Sequence, residues 1–160
     1  MRSTRDSGFT LIEAMVTLAV SSILLVIAIP SYQTFVKSNC SSSQQNDFVT
    51  SLHFARQEAV RRGLDITVTA RDDSDSNNRW GKLGWDVTDP DGVVLRRHEA
   101  VGCSLNLNSD DSNFTYQSNG RVAASVSFKL CDPRNPGIAG RSITIENTGR
   151  VQSGETSCSS

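Results

Sequence analysis

The sequence holds few of the residues that catalysis at neutral pH requires. Only two of its 160 residues are histidine, His53 and His98, and histidine is the side chain whose ordinary pKa lies nearest neutrality. No serine stands in a nucleophile-elbow pattern, and no glycine-rich stretch matches a phosphate-binding loop. We expect His53 to be a half-buried surface residue on a helix and His98 to lie on a solvated strand edge. The sequence therefore does not favour an enzyme, and no cofactor is expected.

An excess of charge of either sign is also lacking. Sixteen basic and seventeen acidic residues give a net charge of −1, so the chain has no general electrostatic attraction to nucleic acid. No C-x-x-C pair occurs and histidine is scarce, so a zinc site is not expected. The acidic segment 72–78 begins like a calcium-binding loop, but Asn78 and Gly84 stand where that loop needs glycine and glutamate. This segment favours a solvated loop, and calcium binding there stays open.

What the sequence does have is a long apolar run near the N-terminus. Phe9 to Ile29 comprises twenty-one residues with one charge, Glu13, and Pro30 follows. As a helix this run would be about 31 Å long, which matches the hydrocarbon core of a bilayer. A carboxylate in such a segment costs about 2.5–3.5 kcal/mol on insertion scales, so it normally has a partner or a task. We predict a membrane-spanning helix whose glutamate is functional.

Two ordinary kinds of segment compete with this interpretation. A secretory signal has an apolar core of about 7–15 residues that ends in an A-x-A-like site. This run is longer, and Ala28-Ile29-Pro30 offers no such site. A plain signal anchor would need neither the junction of Gly8 with Phe9 nor a lone glutamate. From the residues alone, both alternatives stay open.

The order Gly8-Phe9-Thr10-Leu11-Ile12-Glu13, behind a polar leader, resembles the class III signal of type IV prepilins and type II secretion pseudopilins. The resemblance implies that a prepilin peptidase cuts between Gly8 and Phe9 and that the new N-terminus of Phe9 is methylated. It implies that Glu13 meets the terminal amine of Phe9 of a neighbouring subunit in a filament. The expected partners are other major and minor pilins or pseudopilins, an inner-membrane assembly platform and, before assembly, the lipid bilayer.

All four cysteines follow the apolar run. The basic leader indicates that the N-terminus stays in the cytoplasm of a bacterium and that the rest faces the periplasm, where disulfides persist. Four cysteines allow three pairings. We favour Cys131 with Cys158, which would tie the tail to a strand end, and Cys40 with Cys103, which would tie the helix to the sheet. The pairing itself stays open.

The rest of the chain changes from helical to strand periodicity. One helix face carries Phe48, Leu52, Ala55 and Ala59 and ends at Gly63, whereas the serine-rich stretch 38–45 predicts weakened or bent helix. Alternating apolar residues then predict about six or seven short strands, near 64–70, 83–87, 93–98, 103–107, 114–117, 122–130 and 143–145. We predict an α+β fold in which a long helix packs on an antiparallel sheet. Its parts are a cleaved leader 1–8, a spanning helix 9–30, a continuation helix 31–63 and a β-domain 64–160.

Motifs in this second half narrow the resemblance. Ala55-Arg56-Gln57-Glu58-Ala59, Gly84-Trp85-Asp86-Val87, Gly120, the strand end 128–131 and Thr148-Gly149-Arg150 are similar to the pseudopilin H and FimT/FimU minor pilin family. The resemblance implies a type IV pilin-like fold. It also implies a structural subunit that primes or caps pilus assembly at or near the filament tip, in twitching motility or adhesion. A minor pseudopilin of the type II secretion system is the alternative.

DNA uptake is a third interpretation. Some FimT proteins are thought to bind DNA through a basic tail after a G-R-x-R motif. Here Gln152 stands at the second basic position, and residues 153–160 add no basic side chain. A small patch of Arg134, Arg141 and Arg150 is the candidate contact. Because lysine and arginine contacts with phosphate dominate such binding, we do not expect nucleic acid to be a partner.

Overall fold

The computed structural model describes residues 9–72, 74–134 and 140–158 of the chain. It has one long helix, α1 (Leu11–Arg62), followed by eight strands. The strands are β1 (Ile66–Ala70), β2 (Trp85–Thr88), β3 (Val94–His98), β4 (Asn106–Asn108), β5 (Asn113–Tyr116), β6 (Val126–Cys131), β7 (Gly140–Ile145) and β8 (Val151–Thr156). The chain divides into two compact units, Met1–Ser38 and Asn39–Ser160, and α1 contributes residues to both.

The first unit is an apolar helix with exposed side chains. Its large apolar residues, from Phe9 to Val36, are between 46% and 80% exposed. The hydroxyls of Thr17 and Ser22 donate to backbone carbonyls three residues back, at 2.9 and 2.8 Å, so these polar groups are satisfied within the helix. By length and composition α1 is able to span a membrane.

In the second unit, the C-terminal part of α1 packs on two antiparallel sheets. The predicted face of Phe48, Leu52, Ala55 and Ala59 is confirmed, because each of these residues is at most 1% exposed. One sheet has the strand order β3-β2-β1-β5 and the other β4-β6-β7-β8. All the strand pairs are antiparallel. The predicted α+β class is confirmed.

Aromatic rings join α1 to both sheets. The ring centroid of Phe48 lies 4.8 Å from that of Trp85 in β2 and 4.8 Å from that of Phe128 in β6, both edge-on. Trp80, which lies between β1 and β2, contacts Phe128 at 5.0 Å. Such edge-to-face pairs contribute beyond the area they bury. The two sheets and the helix therefore share one core.

The number of strands was underestimated. Six or seven were expected, and the described residues form eight. The missed strand, β8, lies at the edge of its sheet and pairs only with β7. Its four central residues are all exposed. An edge strand without a buried face has no apolar alternation in its sequence.

Some predicted strands were too long. Leu64 and Leu83 precede β1 and β2, and they are 43% and 47% exposed. The run expected over 122–130 is broken, because β6 begins at Val126 and Ala124 is exposed. Val122 makes only an isolated bridge with Tyr116. In these places the alternation of apolar and polar residues extends beyond the strands into turns, which form no continuous ladder with a neighbouring strand.

The helix α1 continues without interruption through 38–45, where weakened or bent helix was predicted; a bend there stays a prediction. Two contacts with the segment before β4 hold this stretch. Cys40 is bonded to Cys103, with their Cα atoms 6.5 Å apart. The side-chain oxygen of Gln44 accepts the N–H of Gly102 at 3.0 Å. Tertiary contacts of this kind override the modest helix propensity of serine and asparagine.

Replacing Cys40 and Cys103 together by serine should loosen this stretch of helix. We expect backbone amides of residues 38–45 to exchange with deuterium at least about tenfold faster, since removing a disulfide typically costs about 2–5 kcal/mol. Mass-spectrometric hydrogen exchange measures this directly. The control is the matched pair C131S/C158S, in which exchange over 38–45 should stay close to that of the unaltered protein. Unchanged exchange in C40S/C103S would show that the disulfide does not hold the helix.

Candidate functional site

Glu13 lies in the exposed first turn of α1. Its backbone N–H donates to the hydroxyl of Thr10 at 3.3 Å, and the Thr10 carbonyl accepts the N–H of Ala14 at 3.2 Å. Threonine followed by glutamate three residues later is the spacing of a capping box, which suits a helix start. Within the described residues, no basic side chain pairs with the Glu13 carboxylate.

The predicted processing site lies around the start of the described chain. Gly8 is outside the described residues. Phe9 is 80% exposed and stands four residues before Glu13. The roles predicted for these three residues remain predictions.

Arg56 connects α1 to two turns of the second unit. Its Nε donates to the carbonyl of Gly120 at 3.0 Å, and its Nη2 donates to the carbonyl of Thr148 at 3.0 Å. Gly120 and Gly149 have φ angles of +76° and +77°, a backbone region that favours glycine. A Cβ at Gly149 would overlap the carbonyl oxygen of Gly120. We call Arg56, Gly120, Thr148 and Gly149 the helix–turn clasp.

Glu58, the acidic residue of the same helical motif, is a buried and neutralised carboxylate. It is 9% exposed, and it pairs with Arg61 at 2.6 Å and with Arg62 at 2.5 Å. The hydrogen bond from Arg61, followed by that from Arg62, lowers the pKa of Glu58, although burial acts in the opposite direction. A carboxylate held charged in this way has a structural role near the C-terminus of α1 and is a poor proton donor.

The tryptophan motif has a structural role. The indole N–H of Trp85 donates to the hydroxyl of Ser51 at 2.9 Å, and that hydroxyl donates to the carbonyl of Phe48 at 2.8 Å. Gly84 lets the chain approach the β3 end, since a Cβ there would overlap the carbonyl oxygen of His98. Ser51 was missed in the sequence, because a lone serine on an apolar helix face carries no signal of its partner.

The histidines differ from their predicted surroundings. His98 was expected on a solvated edge, but it is half-buried and its ring stacks on that of Trp85 at 4.9 Å. Burial, and then the charge of Arg96, lowers the pKa of His98. His53 is exposed rather than half-buried.

In the acidic loop 72–78, the carboxylates of the described residues Asp72 and Asp75 have partners. Asp72 pairs with Lys82 at 2.9 Å and accepts hydrogen bonds from Ser74. The Lys82 ammonium and then Ser74 lower the pKa of Asp72 to about 2. Asp75 accepts the N–H of Asn77 at 3.0 Å, while Asp73 lies outside the described residues. In the ranges the structure describes, no cluster of three metal-ligating side chains occurs.

The three arginines suggested for DNA contact lie on separate elements. Arg141 in β7 pairs with Glu155 in β8 at 3.1 Å. Arg134 lies 3.7 Å from Asp132 in the turn after β6. Arg150 precedes β8, at the opposite end of the β7–β8 hairpin from Arg141. A track of phosphate contacts over these three residues is not formed.

Both favoured cysteine pairs are present as disulfides. Cys131, at the end of β6, is bonded to Cys158, after β8, and their Cα atoms are 5.8 Å apart. Gly140, at the start of β7, passes so close that a Cβ there would overlap the Cys158 sulfur. This disulfide closes one end of the second sheet, as the other closes the helix against the segment before β4.

Two protein-family models match the chain. The model described as "Type II transport protein GspH" matches residues 44–149, about two-thirds of the chain. The model described as "Prokaryotic N-terminal methylation motif" matches residues 3–29. All the clasp residues fall within the first match. Gly8, Phe9 and Glu13 fall within the second.

Solved structures with this fold include two kinds of minor subunit. The type IV minor pilin FimU of Pseudomonas aeruginosa is similar with a TM-score of 0.64 and 25% identity, over 78% of this chain and 99% of FimU. A second crystal form of FimU gives 0.59 and 24%, over 74% and 99%. The minor pseudopilin EpsH of the Type 2 Secretion System of Vibrio cholerae gives 0.50 and 15%, over 71% and 94%. The EpsH likeness shows the fold.

Substituting alanine for Gly149 should destabilise the second unit through the clasp. The side chain would be strained at positive φ, at about 1 kcal/mol, and would also displace the Gly120 turn from Arg56. The matched control is Gly92→Ala, because Gly92 also has a positive φ, +80°, but its Cβ would meet nothing within 4 Å. We expect G149A to lower the free energy of unfolding by at least about 1 kcal/mol more than G92A, measured by urea denaturation. Equal losses would mean that the clasp contributes little.

Proposed function

This chain belongs to the GspH family of type II transport proteins, and we propose that it is a minor type IV pilin that primes or caps pilus assembly at or near the filament tip. Subunits of this pilin and pseudopilin family are structural proteins rather than enzymes. The observation that carries the proposal is the apolar helix of the first unit, exposed along its length and holding one carboxylate for which the described residues supply no basic partner. The likeness to FimU, over most of both chains, supports a pilus subunit.

Because its surface is apolar and exposed, the helix requires an apolar environment. Burying one large aliphatic or aromatic side chain stabilises a protein by about 1.5–3 kcal/mol, and more than a dozen such side chains between Leu11 and Val36 are exposed. A bilayer satisfies this surface before assembly, and the helices of neighbouring subunits satisfy it in a filament. The proposed assembly is therefore a transfer of one helix between two apolar environments.

Glu13 would favour the filament over the bilayer in this transfer. A carboxylate in hydrocarbon is costly, and no basic side chain in the described chain neutralises Glu13. Cleavage after Gly8 would create a terminal amine on Phe9, and methylation would keep that amine positively charged. The amine of one subunit and the carboxylate of the next would then form a pair inside the helix bundle. The match of the methylation motif to residues 3–29 supports this processing.

The remaining assembly partners follow from this proposal. A prepilin peptidase would remove the leader, and an inner-membrane platform would extract the subunit. The second unit would face the periplasm before assembly, since the leader carries Arg2 and Arg5. Both disulfides lie in the second unit, which agrees with that compartment.

A minor pseudopilin of the type II secretion system is the second candidate. The description of the matching family and the shared fold with EpsH favour it. Deleting the gene separates the two functions. Loss of surface pili and twitching with normal exoprotein release indicates the pilus, and the reverse result indicates secretion.

Replacing Glu13 by glutamine should abolish assembly while leaving insertion intact. Glutamine keeps the size of the side chain but removes the charge, so the Phe9 amine of a neighbour would lose its partner. Breaking a buried ion pair costs about 3–5 kcal/mol, so partner subunits should co-purify at least about tenfold less in detergent. Glu13→Asp, which keeps the charge, should retain part of the association. Membrane fractionation and the mature mass serve as controls, and full co-purification by E13Q would refute the proposed pairing.

A further inference from the structure

The arginines of the second unit fall into three groups. One group pairs with carboxylates: Arg61 and Arg62 with Glu58, Arg71 with Glu99, Arg97 with Asp86, Arg134 with Asp132 and Arg141 with Glu155. In the second group, Arg96 lies over the ring of Phe54, and Arg79 donates to the carbonyl of Asp110. Arg56, Arg121 and Arg150 form the third group, for which the described part of the chain supplies no acidic partner. These three arginines belong to the helix–turn clasp or follow its glycines directly in the chain.

Their proximity follows from the backbone. Arg121 comes directly after Gly120, whose carbonyl accepts from Arg56. Arg150 comes directly after Gly149, and the preceding carbonyl accepts from the same guanidinium. Arg121 and Arg150 are both exposed, whereas Arg56 is half-buried and held in place. The fold thus places the backbone of Arg121 and of Arg150 beside the two turns that Arg56 holds, from parts of the chain that are distant in sequence.

An open hollow adjoins Arg56 on the surface of α1. It has a volume of about 430 Å³ and is lined by His53, Arg56, Gln57, Val60 and Arg61. Val60 is 56% exposed, and its side chain borders Gly120. We call Arg56, Arg121, Arg150 and this hollow the clasp surface. It offers hydrogen-bond donors, positive charge and one apolar contact.

The nearby carboxylates only partly neutralise the clasp surface. Glu58 is balanced by Arg61 and Arg62. The side chain of Asp65 accepts the N–H of Ser118 at 3.0 Å, and that of Glu146 accepts from Gln152 and Thr148. Because these donors are neutral, Asp65 and Glu146 keep their negative charge. The five arginines at positions 56, 61, 62, 121 and 150 still outnumber the three carboxylates, so the local formal charge is positive although the whole chain carries −1.

We propose that the clasp surface is the docking site for an acidic segment on the globular part of a neighbouring subunit. Guanidinium groups bind carboxylates through paired, charge-assisted hydrogen bonds, and Val60 would contact the stem of a glutamate or an adjoining apolar residue. Nucleic acid fits less well, because Lys and Arg contacts with phosphates supply most of the affinity for DNA. Three arginines would contact few phosphates. The inference rests on the proposed function, since it assumes assembly with other subunits.

The test uses the full chain in detergent, mixed with each purified pilin-like subunit encoded in the same genome. The variant R121E/R150E reverses two charges of the clasp surface without altering Arg56. The control K129E/R134E makes the same change in net charge on β6 and the following turn, where both residues are exposed. At 150 mM salt, R121E/R150E should bind at least tenfold less of one subunit, and the control should bind as the unaltered protein does. The milder R121Q/R150Q should show a smaller loss in the same direction, with an unchanged unfolding midpoint.

Each other outcome overturns the inference. Equal binding by the unaltered protein and R121E/R150E would show that the clasp surface does not contact a subunit. Normal subunit binding together with lost binding of a 20-base-pair DNA duplex would assign the surface to nucleic acid instead. If the unaltered protein binds no subunit at all, the proposed function fails as well. If it binds and the clasp variants bind equally, only the inference fails.

Discussion

The exposed apolar surface of the first unit limits the environments in which this chain is stable. Side chains from Phe9 to Val36 are exposed on a helix that has no internal partner for them within the described residues. Water is a poor environment for such a surface, so the helix needs lipid or other helices around it. A single carboxylate, Glu13, stands in this apolar segment. Both features support the proposed assembly with other subunits.

The second unit packs around the C-terminal part of α1, a helix whose N-terminal part belongs to the first unit. It does so with one aromatic core shared by α1 and two sheets. Two disulfides close its ends, and Arg56 joins the helix to the Gly120 and Gly149 turns. These ties hold the C-terminal part of α1 at defined points.

The sequence predicts those elements whose own periodicity records their burial. The α1 face from Phe48 to Ala59 and the strand β1 are examples, because one side of each is buried. It does not predict β8, which has no buried face, nor the contacts with Gly102 and Cys103 that hold the stretch 38–45 of α1. Within the helix–turn clasp, the sequence identifies Arg56, Gly120 and Gly149 only as members of short family motifs. Their hydrogen bonds join residues 64 and 92 positions apart, and no local pattern encodes such contacts.

We propose that the mature protein begins at Phe9 and that its terminal amine pairs with Glu13 of a neighbouring subunit. The most direct measurement is mass spectrometry of the N-terminal peptide of the protein isolated from its own cells. We expect that peptide to start at Phe9 and to carry one methyl group on its amine. A peptide that starts at Met1, or at any residue after the apolar run, would contradict the claim.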